Sequence, residues 1–409
     1  MLLSVVVFLF ILSCVLAFYL SRLRAPRSVW LISIAAFGVR SLYVFLDELL
    51  GIYAGGGDQT GYEATFWFIA QQWRSGVVFA PLQYAASPGN DGYYMLVYSA
   101  VFSPAYAIFG RITVLPRLQM ALVGTLVVVN IYLIGEHLYD HRAGIVAALL
   151  AAGFPYWIVL SGIIYRDMFI IFFLTALAYL LVRWQSGERN SLLFILLPVT
   201  AVLALSLRLE NVIAIGALFA TAAFLFIGRN PRGYVALFGT GVLALFAMYR
   251  RFGNRVLVKG LADQRLWLSR SNPGAYLSGF AYESFLELLV FAPVGALYFT
   301  LAPFPWHVID LMALIAITQN IFIWYPVLVL SAIGLRDVLP APAGVKMVIP
   351  LLSFSLAGIF GYGLVEGNIG PAIRHRSQFQ FVFFVLAAIA ISNRVRIHLS
   401  FAGRSGSAK

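Results

Sequence analysis

Apolar runs close to twenty residues long recur along this chain, and short arginine-bearing loops separate them. They cover residues 2–20, 28–48, 117–137, 143–163, 168–184, 190–207, 211–228, 233–249, 313–335, 346–365 and 378–393. About twenty apolar residues are needed to cross the hydrocarbon of a bilayer as a helix. Of the 409 residues, 62% are hydrophobic and only 11% charged, more apolar surface than a soluble fold of this size can hide. The expected fold is therefore all-α, a polytopic transmembrane helical protein resident in the cell membrane.

Charge gives the threading. The basic loops contain Arg22, Arg24 and Arg27; His141 and Arg142; Arg183 and Arg189; Arg229 and Arg232; Arg336 and Lys346; Arg394 and Arg396. Placing them all in the cytoplasm satisfies the positive-inside rule at every second loop and gives about eleven crossings, with the N-terminus outside. The net charge of +12 then belongs to loops facing lipid headgroups, and no soluble basic and aromatic domain is present to bind nucleic acid. Cys14 is the lone cysteine, so neither an intrachain disulfide nor a cysteine metal site can form. Residues 2–20 lack a positive n-region and a cleavage site, so they read as a retained helix rather than a signal peptide.

The chain divides into an extra N-terminal helix with its basic cytoplasmic loop (1–27), a transmembrane domain (28–393) and a basic cytoplasmic tail (394–409). Two outer loops are long. Residues 49–116 carry Phe66, Trp67, Phe68 and Trp73, which suits interfacial helices. After the turn Asn90-Asp91-Gly92 comes an apolar run, 93–110, interrupted by Pro104 and able to lie in the interface or insert. Residues 250–312 end in Ala302-Pro303-Phe304-Pro305-Trp306-His307. Within them 285–303 is apolar enough to cross, but a crossing would break the alternation, so a partly inserted or re-entrant segment is expected.

On this threading Asp58, Arg166 and Asp167, Arg208 and Glu210, Glu366, Arg374 and Arg376 all fall at helix ends on the outer side. Ionisable groups in or beside a bilayer are expensive, and their convergence points to a site for a charged ligand. Asp58 follows three glycines, where the backbone can approach a ligand; the plain alternative is a solvated turn aspartate. Glu63, five residues on, supports Asp58 or is simply solvated. Arg374 and Arg376 flank His375 after Gly367-Asn368-Ile369-Gly370-Pro371, and guanidinium forks suit phosphate; headgroup snorkelling is the bland reading. His375 itself reads as structural. Arg208 and Glu210 cannot share a helical face at i,i+2, so each reaches a different partner, Asp167 or a phosphate for Arg208. Arg166 and Asp167 also suit the start of the helix that follows them. Arg40, within span 28–48, needs a partner, and Asp47 lies two turns along the same face. No His-His-carboxylate spacing marks a metal site.

The order of these features resembles the GT-C superfamily of polyprenyl-phosphate-dependent glycosyltransferases. An outer-loop Asp precedes a helix that starts at Arg117 and a basic turn ending at Arg142. An Ala-rich helix to Pro155 follows, then Ser161 and Tyr165-Arg166-Asp167. The stretches Ala302-Pro303-Phe304-Pro305-Trp306 and 367–376 add to it, and the similarity covers roughly residues 28–393. It is nearest to the branch of the protein O-mannosyltransferases and the aminoarabinose transferase of lipid A.

That resemblance implies a catalytic acid at Asp58, as general base, and a second at Asp167. Arg374, Arg376 and Arg208 would bind the donor phosphate, with Glu63, Arg166, Glu210, Glu366 and His375 in support. Gln59 stands where family members commonly carry a second acid, which counts against a metal-dependent first motif; no cofactor is implied with certainty, and divalent-metal dependence stays open. The implied partners are a polyprenyl-phosphate-linked sugar donor, a glycan, lipid or protein acceptor outside the cytoplasm, and membrane lipids. A polymerase or ligase of polyprenyl-pyrophosphate-linked glycans is the alternative. A transporter ranks third, because no internal repeat is visible and the charges sit at segment ends.

Overall fold

The computed structural model describes residues 2–53, 57–87, 94–188, 190–227, 258–269, 274–278, 280–307 and 311–395. The expected span 233–249, the loop residues Arg189, Arg229 and Arg232, the turn Asn90-Asp91-Gly92 and the tail from residue 396 lie outside them.

The described residues are helical almost throughout: α1 (Leu2–Arg22), α2 (Arg27–Leu50), α3 (Gly57–Arg74), α4 (Ala80–Ala86), α5 (Tyr94–Phe109), α6 (Val114–Leu138), α7 (His141–Gly153), α8 (Pro155–Leu160), α9 (Arg166–Gln185), α10 (Ser191–Leu207), α11 (Val212–Ile227), α12 (258–269), α13 (Phe285–Leu301), α14 (Leu311–Gln319), α15 (Tyr325–Val338), α16 (Pro342–Val365), α17 (Ile369–Arg376) and α18 (Gln380–Arg394). Among the described residues seven helical segments are long and apolar enough to cross a membrane, and α5, α7, α10, α13 and α18 are shorter apolar helices. The protein is a polytopic membrane protein.

The hub is α6. It is apolar all round and buried along almost its whole length, and α1, α2, α5, α7, α9 and α18 pack around it. A helix without a polar face belongs inside a bundle. By contrast, α1 buries only the stripe Phe8, Leu12, Leu16 and Leu20 against the rest of the chain.

One expected element is broken. Instead of a single span over 143–163, α7 ends at Gly153, Phe154 is extended, and Pro155 opens the short α8. Proline suits a first helical position, where its missing N–H is not needed, so the chain restarts there. The break leaves C-terminal carbonyls of α7 unpaired, and Arg40 takes them. Its guanidinium donates to Ala151 O at 3.3 Å, Ala152 O at 3.4 Å and Ser161 Oγ at 3.2 Å. Asp47 is therefore not its partner. Asp47 and Glu48 pair instead with Arg117, whose Nε also donates to Gly162 O at 2.7 Å.

The segment expected to be re-entrant is one continuous helix, α13, capped by Ser284 and packed along α16. Its fit depends on glycine. A Cβ on Gly295 would lie 2.2 Å from the carbonyl oxygen of Gly363, so the two helices touch backbone to backbone. Likewise α5 is no surface helix: Tyr98, Phe102 and Tyr106 are fully buried, with Tyr98 and Phe102 packed on Phe66 of α3 and Phe169 of α9.

Several basic helix ends gather at one end of the bundle. His137 faces Glu188 at 3.8 Å, and Tyr139 donates to Asn393 at 2.6 Å. Asn393 and Arg394 both bond to Asp337. These contacts join the C-terminal ends of α6, α9, α15 and α18. The opposite end holds the start of α9 and the ends of α10 and α16.

Candidate functional site

At that opposite end a one-turn change in the chain makes most of the geometry. Asn368 caps α17, its side chain accepting from Gly370 N at 3.0 Å. The preceding residues are stitched to the segment before α13: Tyr276 N donates to Gly367 O and Ile369 N to Gly274 O, both at 2.9 Å. Arg265 of α12, packed 4.5 Å from the ring of Phe291, donates to the carbonyl of Glu366. Held in this way, α17 presents three successive basic residues. Each helical residue turns about 100° from the last, so the three diverge.

Arg374 meets Asp58: Nη1 lies 3.6 Å from Oδ2, the arginine side chain 22% and the aspartate 62% exposed. The guanidinium also sits 4.9 Å from the ring of Tyr165. Asp58 reaches this place because the next residue, Gln59, accepts from Ile164 N at 3.2 Å and ties the start of α3 to the turn before α9. The glutamine in the expected acid position thus has a structural use.

Beside them Asp167, in the first turn of α9, faces Arg208, the residue that ends α10, at 3.2 Å with both nearly inaccessible. Arg166 donates to Leu207 O at 3.1 Å and stacks on Tyr94 at 4.4 Å. Nη1 of Arg208 is buried without a hydrogen-bond partner.

His375 turns to Glu366, its Nδ1 bonded to Oε1. Burial, with Asp167 nearby, pushes the Glu366 carboxyl up to about 8, against the opposing pull of Arg208, Arg374 and Arg265. Burial, with Arg208, Arg374 and Arg166 nearby, pushes His375 well below its ordinary value. Burial thus disfavours the charged form of both partners.

Arg376 goes a third way. Its Nη1 donates to Thr300 O and Ala302 O, both at 2.7 Å, and its Nη2 to Asn320 Oδ1 at 3.0 Å. Asn320 opens a π-helical turn between α14 and α15, a form common at functional sites. Arg376 thus anchors the Ala302-Pro303 corner. Glu63 is also engaged elsewhere, gripped by Arg111 at 3.0 and 2.7 Å and by Tyr106 at 2.9 Å. Glu210 lies exposed on the short 3-10 turn after α10.

Tyr53 packs edge-on against Tyr165, 6.2 Å between ring centres, and opens onto a mostly apolar cavity of ≈370 Å³ between the ends of α2, α8, α14 and α17. Tyr156, Ala316, Ile369 and Ile373 are among its walls. Neither this cavity nor the pairing of Asp47 with Arg117 was foreseen from the chain order. The only signal was an acidic pair ending one apolar helix and an arginine opening another. Among the described residues no cluster of three or more His, Cys, Asp or Glu side chains is placed to hold a metal ion.

A helical membrane bundle with carboxylates and guanidiniums converging at one end beside an apolar cavity is built as a membrane enzyme is. Residues 96–250 match the family model described as dolichyl-phosphate-mannose-protein mannosyltransferase, a family of glycosyltransferases, so that part of the chain is similar to those enzymes. The matched part includes Arg166, Asp167 and Arg208, while Asp58, Glu366 and Arg374 lie outside it. No curated protein and no solved structure matches the chain.

Proposed function

We propose that the protein transfers a sugar, mannose on the family description, from a polyprenyl-phosphate donor to a hydroxyl of an acceptor outside the cytoplasm. Asp58 takes the proton of the acceptor hydroxyl. The acceptor oxygen attacks the anomeric carbon from the face opposite the phosphate. The carbon–phosphate-oxygen bond breaks, its electron pair stays on the phosphate, and configuration inverts. Arg374 and Arg208 meet the charge that develops on the leaving phosphate, where fixed cations count most. The apolar cavity beside Tyr53 is in position to take the first part of the lipid.

The observation that carries this reading is the approach of Asp58 to Arg374 at 3.6 Å, from segments more than three hundred residues apart. A half-exposed carboxylate can meet an incoming hydroxyl, and a general base contributes about 10²–10⁴-fold. Asp58→Asn tests it: transfer from dolichyl phosphate mannose should fall at least about a hundredfold while the donor stays bound. Unchanged turnover would remove Asp58 from the chemistry.

A further inference from the structure

Glu366 has one oxygen on His375 and the other, Oε2, buried without a hydrogen-bond partner. Native proteins seldom leave such an atom unpaired, and the exceptions call for a reason. Its surroundings supply one. Tyr362, one turn earlier on α16, lies with its ring 4.9 Å from that of His375, and its hydroxyl donates to Asn211 at 3.3 Å. Arg374 and Arg208 both act electrostatically on Glu366 and on His375. The Glu366–His375 pair therefore adjoins both guanidiniums assigned to the donor phosphate, and the buried, unpaired Nη1 of Arg208 belongs to the same group.

We infer that Glu366 and His375 read the hydroxyls of the donor's sugar and so determine specificity. This rests on the phosphate lying against Arg208 and Arg374, as proposed above. A hexose bonded to a phosphate held there starts directly beside the pair. With the carboxyl proton shared toward Nδ1, the couple offers an acceptor at Oε2 and a donor at Nε2–H. A sugar hydroxyl donates one hydrogen bond and accepts others, so neighbouring hydroxyls match that arrangement. An ionised carboxylate would offer acceptors only; burial keeps the group in the form that serves both roles. Sites that hydrogen-bond a substrate hydroxyl discriminate strongly against a ligand lacking it, because their own groups are then stranded.

The test compares binding of dolichyl phosphate with that of dolichyl phosphate mannose to the full-length protein and its variants. The wild type should prefer the mannose-bearing lipid. Glu366→Leu and His375→Phe should erase about tenfold or more of that preference and leave dolichyl phosphate bound as before. Glu366→Gln, which keeps a neutral donor and acceptor, should restore most of it. A wild type without preference, a preference unchanged in Glu366→Leu, or equal loss of both lipids in both variants would overturn the assignment. The phosphate reading fails on separate grounds, if Arg208→Ala and Arg374→Ala bind dolichyl phosphate normally.

Discussion

Asp167 and Arg208 face each other at 3.2 Å inside the protein, the first opening α9 and the second closing α10. The pair fixes two helix ends relative to each other and presents one guanidinium nitrogen with no protein partner. Removing one member of a buried pair costs about 3–5 kcal/mol, because the other charge is left uncompensated, whereas an apolar replacement of both is often neutral. Arg208→Met should therefore lower thermal stability sharply. Asp167→Leu combined with Arg208→Met should recover much of the stability and none of the donor binding. Thermal unfolding and lipid binding on the same samples separate the two effects.

Arg374 and Arg376 should behave differently although they are two residues apart. Arg374→Ala is expected to weaken dolichyl phosphate binding by about ten- to a hundredfold, the worth of a charge-assisted hydrogen bond, with little change in melting temperature. Arg376→Ala strips donors from Thr300 O, Ala302 O and Asn320, so its expected defect is in stability. Equal binding losses in two stably folded variants would contradict this division.

Glu63→Gln supplies a contrast with Asp58→Asn. Glu63 is held by Arg111 and Tyr106, so the amide should loosen the packing of α3 on the residues after α5. Turnover should stay within about threefold of wild type, since most mutations away from a reacting centre act through stability alone. A loss as deep as that of Asp58→Asn would move the base to Glu63.

The Glu366 carboxyl is raised from 4.5 to about 8 in the folded protein. Between those values the folded state binds a proton that the unfolded state has released, so stability falls as pH rises. The contribution is fully present below 4.5 and is lost as pH passes about 8. His375, held neutral, acts in the opposite sense: its contribution is lost as pH falls below the ordinary histidine range. The stability advantage of wild type over Glu366→Gln should accordingly shrink from pH 7 to pH 9. Arginine ordinarily titrates far above that interval, so Arg208, Arg374 and Arg265 around the carboxyl stay charged across it. A difference independent of pH would show that the carboxyl is already ionised at neutrality.

Much of the architecture was legible because bilayer length and charge act on local stretches. The apolar runs 2–20, 28–48 and 117–137 became α1, α2 and α6 with ends shifted by a few residues. The divergence of Arg374 from Arg376 was also within reach, since i,i+2 spacing separates side chains on any helix. The break at Pro155 was harder, because an apolar run of the right length masks a proline that suits a helix start.

By itself the sequence determined that this chain crosses a membrane repeatedly as helices, because every stretch of that length and hydrophobicity must satisfy its own backbone in lipid. It also determined which few residues carry charge near helix ends. Only the tertiary structure decided which of those charges meet. Arg40 finds the carbonyls of α7 rather than Asp47, and Arg374 finds Asp58 rather than a nearer acid. Such pairings depend on how distant helices pack around α6, where the identity of a glycine or the restart of a helix moves a guanidinium by several ångströms, and no local pattern encodes that distance.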